Sequence, residues 1–328
     1  MILIIRSQTS KGICRCGVFT AALLCSALAG FAQSSPPPPA SSAISVQTEL
    51  VVLPVSVTDA RGSAVLGLSE QNFRVYEDGR LQRIAMFQQG DAPITVGLIV
   101  DHSRSMGPQL EEVGDAVSSF ARSGNPQDEM FVVDFNDDVS VELLNGKAFT
   151  DDPKELAKAI FAVRARGRTA LYDAVAEGLL HLQLGHYKRK ALIIISDGGD
   201  NASVQKFPQV LALAQKSQVV IYAIGLISDD GEVNPGVLRH FAKDTGGVAY
   251  FPNRTSTVAS ISTQIARDLR EQYTLGFAPE KANNVHAFRK IEVKVSAPGR
   301  GKLRARTRTG YSAAENKAAP APAARDAK

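Results

Sequence analysis

Three oxygen-bearing residues stand at alternate positions just after an apolar run: Asp101, Ser103 and Ser105 in Asp101-His102-Ser103-Arg104-Ser105. In extended backbone, residues i, i+2 and i+4 share a face, so one carboxylate and two hydroxyls would point to a common spot. A small hard cation of the Mg²⁺ type takes oxygen donors arranged in this way. Two other stretches can add to the set. Ser196-Asp197-Gly198 follows Ala191-Leu192-Ile193-Ile194-Ile195, the most apolar run in the chain, and Thr169 sits in Gly167-Arg168-Thr169-Ala170-Leu171-Tyr172-Asp173 ahead of a helical pattern. Thr169 is the natural N-cap candidate of that helix. Converging, the three loops would offer Asp101, Ser103, Ser105, Thr169 and Asp197. Taken singly, each piece has a plainer reading, because Asp and Ser after a strand often only cap helices or make turns.

The elements that must position these residues can be read from apolar spacing. Between about Ala92 and Arg270, the apolar runs Ile94–Val100, Met130–Phe135, Ala191–Ile195, Val219–Ile224 and Val248–Phe251 alternate with amphipathic stretches. The latter lie at about Gln109–Arg122, Pro153–Val163, Ala170–Leu184, Phe207–Lys216, Pro235–Lys243 and Ser256–Arg270. Continuous apolar strands separated by helices imply a doubly wound α/β domain, with a mostly parallel sheet covered on both faces. Val139–Leu144, close behind its predecessor, suits an antiparallel edge strand. A ligand in such a fold sits at the carboxyl ends of central strands, where Asp101 and Asp197 would lie if their strands are neighbours.

The flanks have period two instead. Leu53, Val55 and Val57 share one face, followed by Phe73–Tyr76 and Ile84–Gln88; after Arg270 come Tyr273–Phe277, Ile291–Val295 and Leu303–Thr307. Three strands at either end are too few for a core of their own. The expectation is one β-sandwich built from 44–91 and 271–311, with the α/β domain at 92–270 inserted in it. Two separate hairpin appendages are the alternative.

Residues 1–32 carry Arg6, Lys11 and Arg15 ahead of the apolar stretch Val18–Phe31, which ends in small residues. That is the layout of a secretory signal peptide, and the stretch is shorter than the ~20 residues a spanning helix needs. The chain is therefore expected to be exported, to a periplasmic, cell-surface or extracellular position, with no transmembrane helix in its mature form. All three cysteines, Cys14, Cys16 and Cys25, fall in this leader, leaving no disulfide or thiolate site afterwards. Its removal takes three positive charges and lowers the net charge from +4 to +1, which argues against nucleic acid as a partner. Pro36–Pro39 lies in a linker at 33–43, and the Ala/Pro/Lys-rich tail at 312–328 reads as disordered.

These motifs resemble a von Willebrand factor A (VWA) domain: Asp-x-Ser-x-Ser after the first strand, Thr in Gly-x-Thr-Ala-Leu-Tyr-Asp, and Ser-Asp-Gly after a later strand. The flanks, with Val52-Leu53-Pro54-Val55, Tyr76-Glu77-Asp78-Gly79 and Arg308-Thr309-Gly310-Tyr311, resemble an exported VWFA-related family known mainly from Acidobacteria. The resemblance implies a metal-ion-dependent adhesion site (MIDAS). Ser103 and Ser105 would hold Mg²⁺ or Mn²⁺ directly and Thr169 directly or through water. Asp101 and Asp197 would act largely through water and hydrogen bonds. It also implies a non-enzymatic module whose partner is a protein presenting an Asp or Glu carboxylate. A metal-independent structural or assembly role in the cell envelope is the alternative.

The sequence departs from the pattern at Arg104 and Arg168, where such loops commonly carry Gly. Either these arginines strain loops that want glycine conformations, or they form a basic rim that recruits an acidic ligand. Other chemistry is poorly served. His102, His181, His186, His240 and His286 have no metal-ligand spacing, and neither a Gly-x-Ser-x-Gly elbow nor a P-loop occurs. The basic row Lys302–Arg308 reads as protection of an exposed strand edge, with anionic glycan or lipid binding as the alternative.

Overall fold

The computed structural model describes residues 50–141, 143, 146–226, 234–254, 257–279 and 288–312. The leader, the Pro-rich linker, nearly all of the expected disordered tail and His286 lie outside the described residues. Ser312, assigned to that tail, instead ends a strand.

The α/β part is built on one six-stranded sheet. Its strands are β5 (Thr95–Asp101), β6 (Glu129–Phe135), β7 (Val139–Val141), β8 (Lys190–Ser196), β9 (Val220–Gly225) and β10 (Ala249–Tyr250), in the order β10-β9-β8-β5-β6-β7. All neighbours are parallel except β7, the antiparallel edge strand expected from its short connection. The central strands are buried along both faces, as their unbroken apolar runs require. Helices α1 (Leu110–Ser123), α2 (Pro153–Ala162) and α6 (Val258–Arg270) pack together, α1 touching both others. Helices α3 (Leu171–His181), α4 (Phe207–Ser217) and α5 (Pro235–Thr245) form a second group. Pro153 and Pro235 open their helices at positions where no N–H partner is lost, and Asp152 and Asn234 cap them.

The flanking strands form two antiparallel four-stranded sheets, each drawing on both ends of the chain. They are β1 (Val51–Thr58), β2 (Phe73–Glu77), β3 (Arg80–Gln82), β4 (Ile84–Gln89), β11 (Tyr273–Phe277), β12 (Phe288–Val295), β13 (Arg304–Arg306) and β14 (Gly310–Ser312). The orders are β13-β1-β11-β4 and β14-β12-β2-β3. Leu53 lies opposite Leu275, and Val75 opposite Val293. These long-range pairings dispose of the hairpin-appendage reading. The sheets share one core, in which Phe73, Phe87 and Tyr273 stack in tilted pairs with centroids 5.0–5.9 Å apart.

Three local expectations are corrected. The three-residue strands β3 and β14 have no readable period, because they are set by their partners β2 and β12 rather than by their own side chains. Helix α3 stops at His181, and Leu182–Leu184 tightens into a 3-10 turn. The basic row is not an outward-facing face. Arg304 is exposed, but Arg306 turns in to pair with Asp268, and Arg308 is buried over the Tyr311 ring with a bond to the Val52 carbonyl. The row extends past the end of β13, where the chain crosses between the sheets and strict alternation lapses.

Tyr273 ties a loop to this core. Its hydroxyl donates to the Val65 carbonyl (2.9 Å) and accepts from the Leu68 N–H (3.1 Å), all in buried surroundings. Tyr273→Phe leaves two buried backbone groups unpaired, so chemical denaturation should register a loss of about 1–3 kcal/mol. An unchanged midpoint would show that water replaces the hydroxyl.

Candidate metal site

Strands β5 and β8 are direct parallel neighbours, paired from Thr95↔Lys190 to Val100↔Ile195, so their carboxyl ends emerge side by side. Asp101 closes β5, and Ser196 and Asp197 close β8. The first link between the loops is Ser196 Oγ donating to Asp101 Oδ2 at 2.6 Å. The other Asp101 oxygen, Oδ1, accepts the Ser103 N–H at 2.8 Å, which turns the chain sharply. The expected alternation holds only as far as Ser103. The chain is 3-10 helical from Arg104 to Gln109, and Ser105 joins the cluster from that helical turn rather than from extended backbone. His102 points the other way into the core, with Nε2 3.0 Å from the Ile160 carbonyl and Nδ1 3.1 Å from Asp134.

Ser103 precedes a short 3-10 helix at Arg104–Gln109 but does not cap it. Its Oγ lies 3.1 Å from Ser105 Oγ, which in turn donates to Asp197 Oδ2 at 2.9 Å. A hydroxyl whose proton goes to a carboxylate keeps its lone pairs for something else. Asp197 Oδ1 accepts the Gly199 N–H at 2.9 Å. Gly198 makes this turn possible: its φ is +84°, and a Cβ there would sit 2.6 Å from the Asn234 carbonyl oxygen.

Thr169 arrives on the third loop. The expected N-cap role is corrected, because α3 begins at Leu171 with Ala170 in the cap position. The helix's first N–H groups are met from the β8 loop instead. Asp200 Oδ1 accepts from Tyr172 N (3.1 Å) and Ser203 Oγ from Asp173 N (3.1 Å). Thr169 is fastened by its backbone: its N–H donates to Asn201 Oδ1 (2.9 Å), and its carbonyl accepts from Asn201 and Ala202. Capping therefore does not claim its hydroxyl. The same loop meets the first one through Arg166 N–H to His102 O (2.9 Å) and Arg104 N–H to Gly167 O (3.5 Å). Ser103, Ser105 and Asp197 are thus joined side chain to side chain. Asp101 is tied to them through the Ser103 backbone N–H and to β8 through Ser196, and Thr169 is brought in through backbone ties.

The electrostatics of the cluster are unusual. Asp101 is fully buried and Asp197 nearly so, and among the described residues neither forms an ion pair with Lys, Arg or His. Burial pushes the Asp101 carboxyl up to about 6; the bonds from Ser103 and Ser196 pull it down, and the negative Asp197 adds to the rise. At neutral pH it is still mostly ionised, at a desolvation cost that a cation would relieve. The donor set fits a hard cation on two further counts. At Mg–O distances of about 2.0–2.1 Å, adjacent octahedral oxygens lie roughly 2.9 Å apart, close to the 3.1 Å between the Ser103 and Ser105 hydroxyls. The cluster contains no Cys, and the neighbouring imidazole of His102 faces the core. Hydroxyls and carboxylates remain, a set suited to Mg²⁺ or Mn²⁺ rather than to thiolate- or imidazole-seeking metals.

The two arginines do not strain the loops. Among the described residues the only non-glycine positions with positive φ are Asp78 and Gln218. Gly167 carries the left-handed turn beside Arg168, and a Cβ there would collide with Asp137. Arg168 is held by Asp137, through Nε to Oδ1 (2.8 Å) and backbone N–H to Oδ2 (3.1 Å), and its charge keeps the Asp137 carboxyl below its usual range. Arg104 is exposed.

Sequence reading missed the ties that hold the loops in place: Ser196, Asn201, Asp137, Asp200, and Asp173, whose carboxylate accepts from Val204 and Gln205. An acid at the start of a helix was the one available signal for Asp173. Asn201-Ala202-Ser203 reads as a glycosylation sequon but serves here to lock the loops together.

Comparison with known proteins agrees with this architecture. A von Willebrand factor type A protein from Catenulispora acidiphila superposes with a TM-score of 0.50 at 13% identity, covering 75% of this chain and 74% of that one. BatB from Bacteroides thetaiotaomicron gives 0.43 at 18% identity, over 54% of this chain and 98% of that one. The vWF domain of the type V pili tip protein Mfa5 from Porphyromonas gingivalis gives 0.44 at 13% identity, over 59% and 99%. No curated protein matches. Residues 96–264 match the von Willebrand factor type A domain, and the chain belongs to that family.

Proposed function

We propose that the chain is an exported binding module, without enzymatic activity, that recognises a partner protein through a Mg²⁺- or Mn²⁺-dependent adhesion site. The observation carrying this reading is the pair of buried carboxylates, Asp101 and Asp197, beside linked hydroxyls and with no basic side chain among the described residues paired to either. In this reading Ser103 and Ser105 hold the ion, Thr169 holds it directly or through water, and the carboxylates act through water and hydrogen bonds. The ion supplies an open coordination position for an Asp or Glu carboxylate of the partner. Because hydroxyls and waters leave most of its charge unneutralised, that position is strongly electrophilic. The residues around it do the rest. Asp101 and Asp197 orient the hydroxyls, and the exposed Arg104 adds a positive rim. Arg168, half committed to Asp137, contributes less. Export is supported by the leader-like residues 1–32 and by the resemblance of the flanking motifs to an exported VWFA-related group. No helix among the described residues is long and apolar enough to cross a membrane.

Two results are expected. Mg²⁺ at about 100 times its dissociation constant stabilises the native state by about 2.7 kcal/mol, or roughly 5–10 °C in melting temperature. EDTA reverses the shift, and Asp101→Ala and Ser103→Ala remove it. Melting curves that ignore both Mg²⁺ and EDTA would favour the metal-independent envelope role. In affinity capture from envelope extracts, EDTA should release the partner, and Arg104→Gly with Arg168→Gly should weaken retention at low salt. If the double variant binds as well as wild type at low salt, the arginines are not a recruiting rim.

A further inference from the structure

A large cleft lies at the pole opposite Asp101, where β5, β8 and β9 begin. Its volume is about 940 Å³, at the upper end of the range for small-molecule pockets. One wall is the outer face of the β13-β1-β11-β4 sheet. There Val52 and Pro54 alternate with the inward Leu53 and Val55, and Met86 lies beside Gly276, the partner of Val52. Leu182 and Val220 of the α/β part contribute to the opposite side. Val52, Pro54 and Met86 make the sheet side mainly apolar, with Gln88, Gln272 and Thr274 among the polar groups that border it.

The charges around this cleft are all of one sign. Lys188, Arg189, Lys190 and Lys216 line it, and no Asp or Glu does. Among the described residues none of the four makes an ion pair. Arg189 and Lys190 hydrogen-bond only to carbonyls, those of Ala92 and Leu269 for Arg189 and those of Leu182 and Gly185 for Lys190. The nearby acids are engaged elsewhere: Asp91 with Arg270, Asp128 with the N–H groups of Ile94 and Asn125, and Glu129 with Thr95 and His186. Lys188 and Lys216 are exposed. Burial lowers the proton affinity of Arg189 and Lys190, and nearby carboxylates answer them in part, Asp128 and Asp91 for Arg189 and Glu129 for Lys190. The exposed Lys188 and Lys216 form no ion pair among the described residues.

We propose that this cleft binds a single-chain anionic amphiphile, a free long-chain carboxylate, with its alkyl tail against Val52, Pro54 and Met86 and its head group among Lys188, Arg189, Lys190 and Lys216. An acidic peptide suits the site less well, since backbone amides laid against the Val52, Pro54 and Met86 side chains would find no hydrogen-bond partner in those side chains. An uncharged hydrocarbon would leave Lys188 and Lys216 unanswered. The site is separate from the metal site and does not depend on it.

The test is calorimetric titration of the full chain with dodecanoate, in EDTA so that no metal contributes. Saturable binding at one site is expected. Lys188→Glu with Lys216→Glu, both exposed positions, should weaken it roughly tenfold, and dodecanol should bind more weakly than dodecanoate by a similar factor. Val52→Glu, which puts a carboxylate in the apolar wall, should abolish it without changing the circular dichroism spectrum. Absence of saturable binding to wild type would overturn the proposal, as would equal binding by the double-charge variant. Binding only to phosphatidylglycerol vesicles, with none to dodecanoate, would assign the cations to a membrane surface and also overturn it.

Discussion

Everything at the candidate site depends on the parallel register between β5 and β8. Pairing Val100 with Ile195 leaves Asp101 and Ser196 as the next residues out, close enough for the 2.6 Å bond between their side chains. A slip of one residue would turn every side chain of one strand to the opposite face, removing Asp101 from Ser196 and burying Ile195 or Val100 on the wrong side. The register is over-determined by apolar side chains that are fully buried on both faces, and by Gly97, where a Cβ would lie 2.5 Å from both Leu192 and Phe131. Hydrophobic packing along the strands thus fixes the position of polar groups at their ends, and loop hydrogen bonds refine it.

The β-sandwich adds a second constraint. Its two sheets need strands from both ends of the chain, so the α/β domain is closed off at its amino and carboxyl sides by the same core. A partly buried polar network ties the parts together. Asp268 of α6 receives Tyr222 of β9 at 2.5 Å and Arg306 of β13, which also reaches Ser56 of β1 at 3.1 Å. Losing one partner of this network leaves a partly desolvated charge uncompensated.

How much was legible in the sequence depended on how local each signal was. Strands β5, β6, β8 and β9 showed in unbroken apolar runs, and α2 and α5 in their opening prolines, because burial on both faces and helix termini leave marks within a few residues. Asp101 and Ser103 were legible as neighbours for the same reason, with His102 between them pointing into the core. Ser105, however, reaches the cluster from a 3-10 turn that the assumed extended backbone did not foresee. Thr169 was placed in the right loop but given the wrong task, since the groups that cap α3 are Asp200 and Ser203, about 30 residues further on. No periodicity signals a partner at that separation. Arg306 and Arg308 were misread as a solvent-facing row because their burial depends on α6, Val52 and Tyr311, which lie far away in sequence. Arg104 and Arg168 were readable as departures, but only the backbone angles showed that neither is strained.

The central claim is that buried carboxylates and linked hydroxyls at the β5–β8 pole create a cation site. The most direct measurement is crystallographic: crystals grown with Mn²⁺, with anomalous difference density calculated around the cluster. The account predicts one strong peak about 2.0–2.3 Å from Ser103 Oγ and Ser105 Oγ, with Thr169 adjacent. A map in which saturating Mn²⁺ leaves no peak there, or places it away from both serines, would contradict it.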